Sequence, residues 1–193
     1  SHPVGAILHL KRREGMRERG TPIRVVEVTG EVADLTRARG FDADRAHVAS
    51  GWQDVENWGC AVLRFDDGSR AVVYGSDNQL GGMQSRLELS GARCRVECNL
   101  SPADPVRAYA PEEGVFGDAY LIEKQSTTAG WSTPMVDEDW SSGQLGMCRA
   151  FAEAVRGGEP PSADGWLGRE VVRVLYGAYR SAREGCRVSL EGS

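Results

Sequence analysis

Val55-Glu56-Asn57-Trp58-Gly59-Cys60-Ala61-Val62-Leu63-Arg64-Phe65, then Asp66-Asp67-Gly68, then Ser69-Arg70-Ala71-Val72-Val73-Tyr74-Gly75 is the stretch on which the fold turns. Two runs rich in β-branched and aromatic residues flank an Asp-Gly pair, and glycine supplies the positive φ that a tight reversal needs. The stretch predicts an antiparallel hairpin. Period-two alternation along its first arm places Glu56, Trp58 and Val62 on one face.

Working outward, Gln84–Ser90 and Arg93–Asn99 read as a second hairpin around Gly91, both arms alternating polar with apolar residues. Such alternation describes a sheet with one covered and one open face. Ile23–Thr29, Val106–Tyr109 and Ala119–Lys124 are further strand candidates, Gly81-Gly82 marks a reversal, and Gly30 to Gly51 reads as an irregular connection. Upstream, Ser1-His2-Pro3-Val4-Gly5-Ala6-Ile7-Leu8-His9-Leu10 predicts a helix that ends near Gly15. Pro3 suits its first position; Val4, Ile7 and Leu8 fall on one face, and His2, Ala6, His9 and Arg13 on the other.

Two helices are expected towards the end of the chain. The first, capped by Ser141 or Ser142, carries Leu145, Cys148, Phe151, Ala152 and Val155 and stops at Gly157-Gly158; the second, capped by Asp164, carries Val171, Val172, Leu175, Tyr176, Tyr179 and Ala182 and stops at Gly185. Cys186–Leu190 follows as a short strand. Counted together, these elements predict an α+β fold: an open, mostly antiparallel β-sheet of about six to eight strands with helices packed on one face.

The 193 residues are 40% hydrophobic and 26% charged, enough for one sizeable core in a single domain. A net charge of −5 with scattered Lys and Arg gives no electrostatic footprint for nucleic acid or an anionic membrane, and no apolar run is long enough to span a bilayer. The expected setting is cytoplasmic. Five widely spaced cysteines, an odd number in apolar patterns, fit reduced and buried thiols. Cys94 and Cys98 match neither a zinc knuckle nor a redox pair, and Asp137-Glu138-Asp139 reads as a complement to a helix N-terminus rather than a metal site. Trp52, Asp54, Glu56, Trp58 and Arg64 put aromatic and charged groups at an open sheet, which suits a polyol pocket and an oligomer interface equally. His2 on residues alone is a histidine that starts a helix; His47 lies in the irregular stretch.

Several stretches in this order resemble the carboxy-terminal domain of the Gfo/Idh/MocA family of NAD(P)-dependent oxidoreductases. They are Ser1-His2-Pro3, Val26-Glu27-Val28-Thr29, Asp54–Trp58 continuing to Arg64–Gly68, Glu88-Leu89-Ser90-Gly91, Gly130-Trp131 and Val174–Ala182. The resemblance implies hydride transfer between NAD or NADP and a secondary alcohol of a sugar or cyclitol. It makes His2 the catalytic acid/base, with His9, Glu56 and Trp58 as substrate-binding candidates. It also implies a homodimer, or a higher homo-oligomer, joined through the open sheet face.

No Gly-x-Gly-x-x-Gly follows a strand in these residues, so the Rossmann nucleotide-binding domain and its cofactor site are expected outside them. The family's catalytic lysine, in a Glu-Lys-Pro motif, and the aspartate one helical turn before the histidine are expected upstream as well. Glu123-Lys124-Gln125 does not match that motif, and Gly143-Gln144 followed by Met147 departs from the family's Gly-Tyr and glutamate. The 193 residues by themselves are then expected to be inactive. The alternative is a non-catalytic binding or assembly module that self-associates through its open sheet face.

Overall fold

The computed structural model describes residues 1–41, 55–77, 85–99, 106–115, 129–132 and 143–190. In chain order the elements are α1 (His2–Arg19), β1 (Val25–Ala33), β2 (Trp58–Phe65), β3 (Arg70–Ser76), β4 (Arg86–Ser90) and β5 (Arg95–Asn99). They continue with β6 (Val106–Ala110), β7 (Gly130–Ser132), α2 (Gln144–Val155), α3 (Gly165–Glu184) and β8 (Val188–Ser189). The chain forms two compact units, one of residues 1–82 with 162–193 and one of residues 83–161. The strands expected to be counted together form two four-stranded sheets, β3-β2-β1-β8 and β4-β5-β6-β7, each antiparallel at every pairing.

In the first unit, Asp66-Asp67-Gly68 turns β2 into β3 as predicted, with Gly68 at φ 87. Ala61, Leu63 and Phe65 point into the core, where they meet Val25, Val28, Val174 and Val188. Each such side chain, removed from water, contributes about 1.5–3 kcal/mol. The helices α1 and α3 cover this face, and Val4, Leu8 and the partly buried Ile7 are the residues α1 turns to the core.

Two expectations are corrected here. Gly15 does not end α1; the helix runs to Arg19 and stops at Gly20, whose φ of 72 is left-handed. Gly15 is instead buried beneath the returning chain, where a Cβ would lie 2.4 Å from the Thr21 carbonyl oxygen. The second correction is the buried face of α3, which carries Leu167, Glu170, Val174, Gly177 and Ser181; of the expected stripe Val171 and Leu175 pack against the core, while Val172, Tyr176 and Tyr179 are exposed. Small residues decide this. A Cβ on Gly177 would press to 2.7 Å from Leu190 and 2.9 Å from Val28, and one on Gly30 of β1 would press to 2.7 Å from the Ala178 carbonyl, so close helix–strand approach selects that face.

The polar residues it buries are satisfied. Arg173 pairs with Glu170 at 2.8 Å and donates to the Leu190 and Val25 carbonyls, while Ser181 Oγ accepts from Gly30 N–H and donates to the Cys186 carbonyl. The predicted caps of α3 hold: Asp164 accepts from Leu167 N–H at 2.9 Å, and Gly185 closes the helix at φ 66.

In the second unit, register puts Arg86 opposite Asn99, Glu88 opposite Glu97, Glu97 opposite Arg107, and Arg95 opposite Tyr109, which faces Trp131. One face is therefore an ionic and aromatic lattice. Arg95 pairs with Glu88 and Glu97, Arg107 pairs with Glu97, and the Trp131 ring lies 4.7 Å from the Arg107 guanidinium and 5.5 Å from the Tyr109 ring. Ala108, Ala110 and Ser132 are buried on the other face. The helix α2 buries no side chain: Leu145, Met147, Phe151 and Val155 are all exposed, so its apolar residues do not form the core stripe expected of them. The expected strand at Ala119–Lys124, the reversal at Gly81-Gly82 and the caps Ser141 and Ser142 lie outside the described residues.

Candidate active site

The site is built from the first unit. Arg19 pairs with Asp66, and Lys11 with Asp67, which ties the second half of α1 to the β2–β3 turn. His2 lies nine residues before Lys11, about 13 Å from it along the helix axis. Arg12 binds the N-cap Asp164, and a Cβ built on Gly5 would lie 3.7 Å from Val171, so α1 runs back along the first half of α3. His2 is exposed in the first turn of α1, and His9, two turns on, is half-buried.

Glu56 and Asn57 lead into β2. Asn57 works as a joint: its N–H donates to the Ala33 carbonyl, its Nδ2 donates to Asp34 at 2.7 Å, its Oδ1 accepts from Leu35 N–H at 2.8 Å, and its carbonyl accepts from Asp77 N–H. Asp34 also accepts from the Thr36 hydroxyl and N–H, and these bonds, the Thr36 hydroxyl foremost, hold its carboxyl below its usual range. With Asn57 committed to this joint, strand alternation starts at Trp58 and does not reach back to Glu56. Glu56 turns to α3, where its Oε1 accepts from the Tyr179 hydroxyl. That bond, with some burial, pushes the Tyr179 phenol up to about 12.

Trp58 goes elsewhere. It packs edge-on against Tyr74 at 6.1 Å between ring centroids, and the register puts Val62, Val72 and Tyr74 on the sheet face opposite the core. The expected shared face of Glu56 and Trp58 is thus corrected: Glu56 meets Tyr179 of α3, and Trp58 lies on the open face. Arg64, also on that open face, pairs with Glu27, whose carboxyl the Arg64 hydrogen bond lowers.

Tyr179 was not among the sequence candidates, because it reads as part of an apolar helical stripe. Its 44% exposure is what removes it from that role. Of the cysteines, all free, Cys60, Cys94 and Cys98 are half-buried, with the Cys98 thiol raised by burial, but Cys148 and Cys186 are exposed rather than buried. His47, Trp52, Asp54, Glu123-Lys124-Gln125 and Asp137-Glu138-Asp139 lie outside the described residues. Among the described residues no group of His, Cys, Asp and Glu is placed to hold a metal ion, and no helix is long and apolar enough to cross a membrane.

An open antiparallel sheet covered on one face by two helices defines an α+β domain. A family model described as "Oxidoreductase family, C-terminal alpha/beta domain" matches residues 20–190, and the chain belongs to this family, the Gfo/Idh/MocA oxidoreductases. The match starts after α1, so it does not include His2 or His9.

Myo-inositol 2-dehydrogenase of Thermotoga maritima is 28% identical over 134 residues, covering 67% of this chain and 35% of that protein. GenD2 from gentamicin A biosynthesis, solved in complex with NAD, is 26% identical with a TM-score of 0.57, covering 86% of this chain and 42% of its own. Levoglucosan dehydrogenase, solved with NADH and L-sorbose, has a TM-score of 0.60 at 17% identity, covering 86% of this chain and 45% of its own, and shares the fold. The chain thus spans less than half the length of each of these relatives.

Proposed function

We propose that these residues form the substrate-binding and dimer-forming half of an oxidoreductase that transfers hydride between NAD(P) and a secondary alcohol of a sugar or cyclitol. The observation that carries the reading is the family match over residues 20–190. The similarity to a myo-inositol dehydrogenase points to a polyol. In this reading His2 supplies the acid/base group and Glu56 a hydroxyl acceptor. His2 takes the proton of the reacting hydroxyl, a task imidazole suits near neutral pH. Glu56 accepts from another hydroxyl of the substrate, His9 lies deeper along α1, and Trp58 belongs to the self-association face. The dinucleotide binds a Rossmann domain outside these residues, and the protein works in the cytoplasm.

The test is oxidation of myo-inositol and a panel of aldoses by NAD and NADP, in the longest natural polypeptide that carries this chain, followed by absorbance of the reduced nicotinamide. Turnover that falls about 100-fold or more in His2→Ala supports the reading. No turnover of any polyol overturns it. Residues 1–193 alone are expected to bind no NADH by calorimetry.

The exposed Val62, Val72 and Tyr74 favour a second copy against the open face under this reading and under that of a non-catalytic assembly module. Light scattering that reports a monomer at high concentration removes the dimer from both.

A further inference from the structure

We propose that Tyr179 is a positioning residue of the polyol site, its hydroxyl anchoring Glu56 Oε1 so that Oε2 is presented to a substrate hydroxyl; this rests on the oxidoreductase reading above. The argument starts from mobility. Glu56 is an exposed glutamate that precedes β2, and such a side chain is free to rotate unless something holds it. Tyr179 holds it from a closely packed stretch of α3. Two residues before it, Gly177 is wedged between Val28 and Leu190; two residues after it, Ser181 is buried and bonded to Gly30 and Cys186. The helix backbone that carries the phenol is therefore fixed on both sides, and the ring has few torsions of its own.

The chemistry of the pair is one-directional. With its proton retained up to about pH 12, the phenol is a donor throughout the working range, and a carboxylate is an acceptor. Among the described residues Oε2 has no hydrogen-bond partner. An acceptor held in one place and open to solvent recognises a hydroxyl, and a polyol supplies a second hydroxyl beside the one that reacts. Tyr179 thus acts through Glu56 on substrate orientation and touches no reacting atom. The sheet-facing side of α3 is spent on packing, so the exposed tyrosine is not needed by the core.

The experiment is steady-state oxidation of myo-inositol by the longest natural polypeptide carrying the chain, with Tyr179→Phe, Glu56→Gln and the double variant, beside their thermal unfolding. Loss of one charge-assisted hydrogen bond predicts a KM raised about five- to tenfold in Tyr179→Phe, with most of the loss in KM and little in kcat. The double variant is expected to be no worse than Glu56→Gln alone, because the phenol then has no carboxylate to hold. An unchanged KM in Tyr179→Phe, or losses that multiply in the double variant, overturns the assignment while leaving the oxidoreductase reading intact. A wild-type protein that oxidises no polyol overturns both. If Tyr179→Phe unfolds more than a few degrees early, Tyr179→Trp, which keeps a ring and moves the donor, is measured in its place; KM restored to the wild-type value by that misplaced donor also overturns the assignment.

Discussion

The two units use the same antiparallel pairing and stabilise it in different ways. In the first, one sheet face lies under α1 and α3, and Leu63, Phe65, Val25 and Val28 are almost wholly removed from water. In the second, the described core is Ala108, Ala110 and Ser132, and the larger side chains form a surface lattice of Arg95, Arg107, Glu88, Glu97, Tyr109 and Trp131. Exposed ion pairs and cation–π contacts contribute little next to buried hydrocarbon. The difference teaches that strand pairing alone does not make a core. A covering helix does.

The comparison can be pressed hardest at Leu63. Leu63→Ala leaves a cavity under both helices and is expected to cost about 2–5 kcal/mol by chemical denaturation. Phe151→Ala on α2, 68% exposed, is expected to cost less than about 0.5 kcal/mol. Equal losses would mean that α2 is covered in solution.

Acid probes the next largest difference. Burial opposes ionisation of Asp67, but the hydrogen bonds from Lys11 and Ser69 outweigh it and hold the carboxyl at about 2 against an ordinary 3.8. A lowered carboxyl stabilises the fold above about pH 4 and loses that contribution as pH falls towards 2. Asp67→Asn is expected to flatten the stability–pH curve of the first unit in that window, read by hydrogen exchange of β2 and β3 amides. At the alkaline end the sign reverses for Tyr179: its raised phenol favours the fold below pH 10 and loses that support as pH approaches 12.

The smallest effect separates aromatic from ionic support in the second unit. Trp131→Ala is expected to cost about 0.5–1 kcal/mol, independent of salt, since the tilted Tyr109 contact is lost along with the Arg107 contact. Arg107→Ala is expected to cost less, and its effect should shrink at high salt. Equal and salt-sensitive losses would make the lattice purely ionic.

Much of this was legible in residues. Asp67-Gly68 gave its turn away by chemistry that is local to the chain, and Asp164 and Gly185 did the same for the ends of α3. His2 was singled out by resemblance and lies in the first turn of α1, as the position of Pro3 suggested. The partner of Glu56 was not visible, because Tyr179 is 123 residues away and looks like a helix-core aromatic. Trp58 and Glu56 seemed to share a face because alternation says nothing about where a strand starts.

What the sequence by itself determined is therefore the set of hairpins, caps and strand phases, each fixed by interactions within a few residues, together with the family. Which face α3 buries, where α1 stops and whom Glu56 meets were decided only in three dimensions. Those outcomes depend on close approach at Gly15, Gly30 and Gly177, where the absence of a side chain permits a contact that no pattern of hydrophobicity records.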